Sequence, residues 1–244
     1  MSSVKISVVV PAFNEEMLLP ATLRSIRAAM SAFDARGWES ELIVCDNNST
    51  DGTAEAARAG GAQVVFEAFN QIARARNTGA SRASGDWLIF VDADSQPSRE
   101  LFADAASQIE GRRCIAGGST VALASDRAAA RLFVFAWNAL SRTCRWGAGS
   151  FVFCESAAFR EVGGFSQALY AGEEIDLFRK LKRFARRCGR TVVILHRYPL
   201  ATSDRKLRLY SLSEYFGFML KMSFSGGRAL RDRGACFPWY DGRR

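Results

Sequence analysis

The sequence lacks several signals that would assign the chain to a common functional class. Its first strand-like run, KISVVVP at 5–11, leads into PAFNEE, so neither a GxGxxG fingerprint nor a GxxxxGK(S/T) phosphate loop follows it. The six cysteines form no CxxC pair, and the longest apolar run near the middle, at 132–140, is too short to span a bilayer. These absences disfavour a nicotinamide enzyme, a P-loop enzyme and a zinc protein.

The N-terminus also lacks the apolar core of a signal peptide, since a strand-like segment begins almost at once. We therefore expect reduced cysteines and a cytoplasmic protein. The 244 residues carry a formal net charge of +8, which suits nucleotide phosphates, nucleic acid or an anionic membrane surface. The positive charge is scattered and no reading motif is present, so nucleic acid is disfavoured, whereas peripheral attachment to the inner face of a membrane is compatible with this charge.

Strand and helix patterns alternate along the first half of the chain. Continuous apolar runs predict strands, and apolar residues at helical spacing predict the helices between them. The predicted strands are 5–11, 41–46, 63–67 and 86–92, and the predicted helices are 15–33, a short one from Asp51, and 70–84. This alternation predicts an α/β fold with a mostly parallel central sheet flanked by helices.

The second half is less regular, but it carries the same two kinds of pattern. Its predicted strands are 115–123, 149–154 and 191–196, and its predicted helices are 127–142, 156–162 and 173–187. Beyond Tyr198 the pattern indicates helix or loop. Without an internal repeat or a clear linker, the chain is predicted to form one domain.

Polar residues collect where three of the predicted strands end, at 11–15, 46–51 and 92–94. In parallel sheets, ligands bind beyond the carboxyl ends of the strands. Asp92 and Asp94 would lie on one side of an extended segment, where both carboxylates could share a hard divalent cation. The alternative is a pair of solvated aspartates in a turn, favoured by Pro97.

An ordered set of four segments resembles the family 2 glycosyltransferases. The segments are VVVPAFNEE, DNNSTDGT, ARARNTGASRASGDWLIFVDAD, and GGF followed by AGEEIDLFRKL. The resemblance implies the GT-A fold, in which a Rossmann-like first half (about 1–122) binds the nucleotide sugar and a second half (about 123–205) binds the acceptor. Residues 206–244 would form a helical or flexible extension.

The resemblance also implies roles for individual residues of the donor half. Pro11, Phe13, Asn14 and Glu15 correspond to the nucleotide-binding first loop, and Asp46 to the carboxylate that reads the base, often uracil. Arg76 would lie near the diphosphate. Asp92 would contact the ribose or the metal, and Asp94 would bind the metal directly, as Mn²⁺ or Mg²⁺.

The acid expected to act as catalytic base lies in AGEEIDL, where Glu174 replaces the usual aspartate. Glu173 and Asp176 are neighbouring candidates, and acids in the first turn of a helix also favour the helix dipole without any catalytic role. His196, the one histidine, is a further candidate metal ligand by resemblance, or else a polar residue at a strand end. Trp137, Trp146 and the phenylalanines at 133 and 135 would line an acceptor site, contact a membrane or pack in the core.

The resemblance therefore implies a metal-dependent, inverting hexosyltransferase that uses a nucleotide-diphosphate sugar, with a UDP-sugar favoured. Its acceptor would be a saccharide or a lipid-linked hydroxyl compound. A non-catalytic scaffold that binds nucleotide sugars is the first alternative, because glutamate stands at the base position. A sugar nucleotidyltransferase is the second, disfavoured because PAFNEE lacks the Gly-rich basic loop that such an enzyme needs.

Overall fold

The computed structural model describes residues 4–123, 128–203 and 228–236. The strands are β1 (Lys5–Ala12), β2 (Glu39–Asp46), β3 (Gln63–Phe66), β4 (Trp87–Val91), β5 (Ser95–Gln96), β6 (Cys114–Leu123), β7 (Phe151–Glu155) and β8 (Thr191–Thr202). The helices are α1 (Leu19–Asp34), α2 (Thr53–Ala59), α3 (Ile72–Arg82), α4 (Arg99–Glu110), α5 (Ala128–Cys144), α6 (Ser156–Glu161), α7 (Glu173–Arg187) and a 3₁₀ helix, Arg228–Arg231. None of the helices in these ranges is long and apolar enough to cross a membrane.

The described strands form one mixed sheet in the order β3-β2-β1-β4-β7-β6-β8-β5. Strands β3, β2, β1 and β4 run parallel, as the alternation in the first half predicts. Strand β7 is antiparallel to both of its neighbours, and β5 is antiparallel to β8, while β6 and β8 are parallel. The predicted α/β class is confirmed, and the antiparallel pairs all lie in the half of the sheet that begins at β7.

Both faces of the sheet are covered, which explains why its central strands are apolar throughout. On one face, Val8 and Val10 of β1 pack in a core with side chains of α1 and α4, among them Phe33 and Phe102. On the other face, Val9 packs with side chains of α3, α6 and α7. The sheet is therefore a rigid platform whose strand ends project from the core.

Two parts of the sequence prediction differ from the structure. Helix α4 has no predicted counterpart, although Ser98 caps it by accepting a hydrogen bond from the Leu101 N–H at 3.1 Å. The expectation of helix or loop beyond Tyr198 is wrong, because β8 continues to Thr202. Its pairing with β6 passes from Ser119–Leu195 directly to Val121–Leu200, so 196–199 bulge outward before the strand resumes.

Local polar contacts set two of the remaining helix boundaries. Residues 15–18 form a turn, in which the Glu15 carbonyl accepts from the Leu18 and Leu19 N–H groups, so α1 begins four residues later than predicted. Helix α3 ends at Arg82 and not at 84 as predicted, and beyond it the Ser84 N–H donates to Glu41 Oε1 at 2.7 Å and the Gly85 N–H to Ser7 Oγ at 2.8 Å. The predicted extension 206–244 lies mostly outside the described residues.

Candidate functional site

The first loop after β1 and the loop after β2 form one hydrogen-bonded unit. The Asn14 N–H donates to Ser49 Oγ at 3.0 Å, and Asn14 Oδ1 accepts from the Thr50 N–H at 2.8 Å. The Glu15 N–H donates to Thr53 Oγ1 at 2.8 Å. Asn14 has a φ of 51°, a left-handed conformation that asparagine tolerates better than most residues. Two of the motifs found in the sequence therefore hold each other in place.

The remaining residues predicted to bind the nucleotide surround this unit. Pro11 and Phe13 flank Ala12, which is in register with Asp46 on the neighbouring strand. Asp46 is buried, and its Oδ1 accepts from the Ser49 N–H at 3.1 Å. The pairing of β1 with β4 ends at Val9, so the end of β1 diverges from β4 and opens the edge of the sheet there.

The two aspartates after β4 lie in a turn and not in an extended segment. Strand β4 ends at Val91, and the Ser95 N–H donates to the Asp92 carbonyl at 3.1 Å. Asp92 Oδ1 accepts from Arg76, whereas Asp94 Oδ2 accepts from Ser203 Oγ at 2.7 Å. The backbone is therefore not extended here, as the prediction of two carboxylates on one side of the segment assumed.

The side chain of Arg76 is almost completely buried and joins the two halves of the chain. Its Nη1 donates to Glu173 Oε1 at 2.7 Å, and its Nη2 donates to Asp92 Oδ1 at 2.8 Å and to the Gly149 carbonyl at 3.0 Å. The guanidinium also lies over the Phe165 ring, 5.1 Å from its centre. Burial disfavours the charged form, but the surrounding carboxylates outweigh it and raise the pKa of Arg76.

The next residue along α3 explains why Phe165 stays beneath the guanidinium. Asn77 Nδ2 donates to the Phe165 carbonyl at 2.8 Å, and Asn77 Oδ1 accepts from the Phe165 N–H at 3.0 Å. The arginine and asparagine of the ARN segment thus both contact the second half of the chain. Arg76 forms an ion pair with Glu173, and Asn77 clamps Phe165 through two hydrogen bonds to its backbone. The GGF segment is the partner of this clamp.

Helix α7 places three acids in its first turn, where the helix dipole favours negative charge. Glu173 is buried and paired with Arg76, and Asp176 pairs with Lys180 at 2.8 Å. Glu174 forms no salt bridge within the described part of the chain. Burial and the adjacent Glu173 carboxylate raise the pKa of Glu174 to about 8, although Arg76 acts in the opposite direction.

His196 lies in the bulge of β8 and is exposed, with its Nδ1 3.5 Å from the Ile194 carbonyl. Among residues 4–123, 128–203 and 228–236, no group of three or more His, Cys, Asp and Glu side chains is close enough to hold a metal ion. His196 is therefore not brought together with Asp92 and Asp94 into such a group. Its predicted role as a metal ligand stays a prediction.

Several residues that the sequence reasoning missed hold the site together. Asn47 is buried and bridges β2 to α3, since its Nδ2 donates to the Glu67 and Phe69 carbonyls and its Oδ1 accepts from the Gln71 N–H. The polar segment DNNSTDGT was the available signal for Asn47. For Gly149 and Ser203, no sequence signal exists, because both act across long chain separations.

Comparisons with known proteins agree with this architecture. The sequence model of glycosyl transferase family 2 matches residues 7–160. An undecaprenyl-phosphate 4-deoxy-4-formamido-L-arabinose transferase of Klebsiella pneumoniae is 36% identical over 105 residues, which are 40% of this chain and 31% of that protein. A 4,4'-diaponeurosporenoate glycosyltransferase of Staphylococcus haemolyticus is 36% identical over 115 residues, 44% of this chain and 29% of that protein. The chain spans about a third of the length of the curated relatives it matches.

Solved structures match over nearly the whole chain. A mannosyltransferase of Pyrobaculum calidifontis, in complex with GDP-mannose and Mn²⁺, has a TM-score of 0.67 at 19% identity, covering 99% of this chain and 68% of that one. Glucosyl-3-phosphoglycerate synthase of Mycobacterium tuberculosis, in complex with Mn²⁺, UDP and glucosyl-3-phosphoglycerate, has a TM-score of 0.63 at 21% identity, covering 99% and 81%. The chain is a member of glycosyl transferase family 2 and has the fold of the GT-A glycosyltransferases.

Proposed function

We propose that the chain transfers a sugar from a nucleotide-diphosphate sugar to an acceptor hydroxyl, with inversion at the anomeric carbon. The observation that carries this proposal is the buried Arg76, which ties the Asp92 turn at the end of β4 to Glu173 at the start of α7. The Arg76 guanidinium thus connects the predicted donor half (1–122) to the acids of the predicted acceptor half (123–205). Such preorganisation is what a displacement between two bound substrates requires.

The donor side consists of the paired loops after β1 and β2. Asp46 and the first loop would hold the nucleoside, and a carboxylate suits the ring N–H of uracil, so we favour a UDP-sugar. The Mycobacterium tuberculosis enzyme was solved with UDP and the Pyrobaculum calidifontis enzyme with GDP-mannose. The nucleobase and the sugar of the donor are therefore part of the proposal, and a screen of nucleotide sugars identifies them.

Glu174 is the proposed base, because Glu173 and Asp176 already have cationic partners. A base near pKa 8 accepts the hydroxyl proton more readily than an ordinary glutamate does. Only the ionised form can accept this proton, so the active fraction increases as the pH rises through that pKa. Glu173, held by Arg76, would position the first turn of α7 instead.

The carboxylates near the Asp92 turn suit Mn²⁺ or Mg²⁺, which prefer oxygen ligands. Magnesium is usually held by one or two carboxylates together with substrate phosphates. Asp94 and Asp92 would supply the carboxylates and the donor diphosphate the remaining ligands, in line with the lack of a larger acidic cluster among the described residues. The ion would offset the charge that builds on the departing diphosphate.

The acceptor is proposed only as a class, a saccharide or lipid-linked hydroxyl compound. The Klebsiella pneumoniae relative is named for undecaprenyl phosphate, and the Mycobacterium tuberculosis structure contains glucosyl-3-phosphoglycerate. Both of these compounds carry phosphate, and the net charge of +8 suits an acceptor of that kind.

Nucleotide release from a panel of UDP- and GDP-sugars, with and without Mn²⁺ or Mg²⁺, tests the proposal. We expect Asp94→Ala to abolish the metal-dependent part and Glu174→Gln to lower the rate by about 10²-fold or more. Asp176→Asn, a change in the same helical turn, is the matched control and should keep most of the activity. Binding of UDP by calorimetry without turnover of any donor would favour the scaffold alternative and overturn the proposal.

A further inference from the structure

Helix α5 presents two leucines and two phenylalanines to the outside of the protein, whereas Val134 and Trp137 are half-buried. Leu132 and Phe135 are 68% and 72% exposed, and Phe133 and Leu140 are 54% and 44% exposed. Together with the exposed Ala136 and Ala139, they form what we call the outer face of α5. Positions 132, 135, 136, 139 and 140 follow the i, i+3, i+4, i+7, i+8 pattern of a single helical stripe.

The opposite side of the same helix is fixed to the protein by polar groups. Asn138 Nδ2 donates to the Val121 carbonyl at 2.9 Å, and Asn138 Oδ1 accepts from the Val121 N–H at 3.0 Å. Ser141 is fully buried, and its Oγ donates to the Trp146 carbonyl at 2.6 Å. The helix thus turns hydrogen-bonding residues inward and leucine and phenylalanine outward. A solvated surface helix would carry polar residues on this outer side, and the alternative in which Phe133 and Phe135 pack in the core is wrong.

The charged residues of α5 and of the loop that follows it are all basic. The sequence from 127 to 154 contains no acidic residue. Arg131, Arg142 and Arg145 are exposed along α5 and just after it. At the C-terminal end of the helix, Arg179 and Lys182 of α7 lie over the Trp146 ring at 5.3 and 5.4 Å from its centre. Lys182 Nζ also donates to the Cys144 carbonyl at 2.8 Å.

We propose that α5 is an interfacial helix whose outer face inserts into the surface of an anionic lipid bilayer. A convex apolar stripe bordered by basic residues is the arrangement of a helix that lies in the membrane interface. Long basic side chains reach anionic headgroups while their stems cover apolar surface. The docking surface stands on the geometry of α5 and does not depend on the proposed catalysis.

The position of α5 gives this surface a consequence for the site. The loop that follows the helix supplies the Gly149 carbonyl to Arg76, and the Ser150 carbonyl accepts from the Asp92 N–H at 3.2 Å. A helix anchored at a bilayer would therefore hold this edge of the candidate site next to the lipid surface. If the proposed function is correct, an acceptor dissolved in that surface is the class that such a placement favours.

Flotation of the full chain with vesicles tests the proposal. We expect it to float with vesicles of phosphatidylcholine plus phosphatidylglycerol, and to bind phosphatidylcholine alone much more weakly. The double variant Leu132→Ser/Phe135→Ser should bind the anionic vesicles at least about tenfold more weakly. Phe66→Ser is the matched control, because Phe66 is 60% exposed but lies on β3 at the opposite edge of the sheet.

Further measurements distinguish a loss of vesicle binding from a loss of folding. Thermal unfolding of the double variant should match that of the parent chain, since both side chains are already exposed. Replacing Arg131 and Arg142 by glutamine should weaken binding by about fivefold for each residue and flatten its salt dependence.

No flotation of the parent chain, or equal flotation of the double variant, would overturn the proposal. Equal binding to phosphatidylcholine alone would overturn the choice of an anionic surface. A dimer in light scattering that the double variant dissociates, without vesicle binding, would assign the outer face to a second copy and also overturn it.

Discussion

Replacing Arg76 by methionine tests the buried network at its centre. Methionine keeps much of the side-chain volume but removes all three donated hydrogen bonds. Glu173 would then be an unpaired carboxylate at 4% exposure, while Asp92, at 23% side-chain exposure, can be hydrated. Removing one partner of a buried ion pair costs about 3–5 kcal/mol, and here Glu173 dominates that cost.

For a domain of this size, about 1 kcal/mol shifts the melting temperature by about 2–4 °C, so we expect a decrease on the order of 10 °C. Urea unfolding at neutral pH measures the free energy directly.

Two further variants test whether the buried ion pair of Arg76 causes the loss of stability. Arg58→Met removes an exposed pair, with 62% and 75% side-chain exposure, and should cost less than about 1 kcal/mol. The double variant Arg76→Met/Glu173→Gln should recover most of the loss, since it removes the unpaired carboxylate at position 173. If Arg76→Met costs no more than Arg58→Met, or the double variant is no more stable than Arg76→Met, the network does not stabilise the chain as argued.

Three other expectations follow from the described residues. The rate of transfer should rise with pH up to about 8 and then level off, because the raised pKa keeps Glu174 protonated below it; a pH–rate profile that is flat from 6 to about 9 would exclude Glu174 as the base. Gly85→Ala should lower the free energy of unfolding by about 1–3 kcal/mol, because the added Cβ would lie 2.6 Å from Ser7 Oγ and 2.7 Å from Ser7 N. Gly111→Ala is the control, since the atom nearest to its added Cβ lies at 3.4 Å, and it should be neutral or slightly stabilising. Chemical denaturation measures both variants. A maleimide should modify the exposed Cys188 first, because burial raises the pKa of Cys45 to about 12 and of Cys114 to about 11; early modification of either in the native state, seen by peptide mass spectrometry, would contradict that burial.

The sequence by itself determined most of the strands and helices of the first half. Local apolar periodicity is sufficient there, because β1, β2 and β4 are buried on both faces and the helices between them have one apolar side. It also determined that the loops at 11–15 and 46–51 meet, since the carboxyl ends of neighbouring parallel strands share one edge. The motif order was enough to indicate the family.

Only the tertiary structure decided what the individual charges do. The contact of Arg76 with Glu173 spans 97 residues and that of Asp94 with Ser203 spans 109, and no local pattern encodes a pairing at such separations. The turn after β4 gives Asp92 and Asp94 different partners, Arg76 and Ser203, which an extended segment did not predict. Likewise, the apolar residues of α5 indicate a helix stripe but not its direction; the pairing of Asn138 with Val121 turned that stripe outward. Periodicity fixes which residues share a face, whereas packing against the rest of the chain fixes what that face meets.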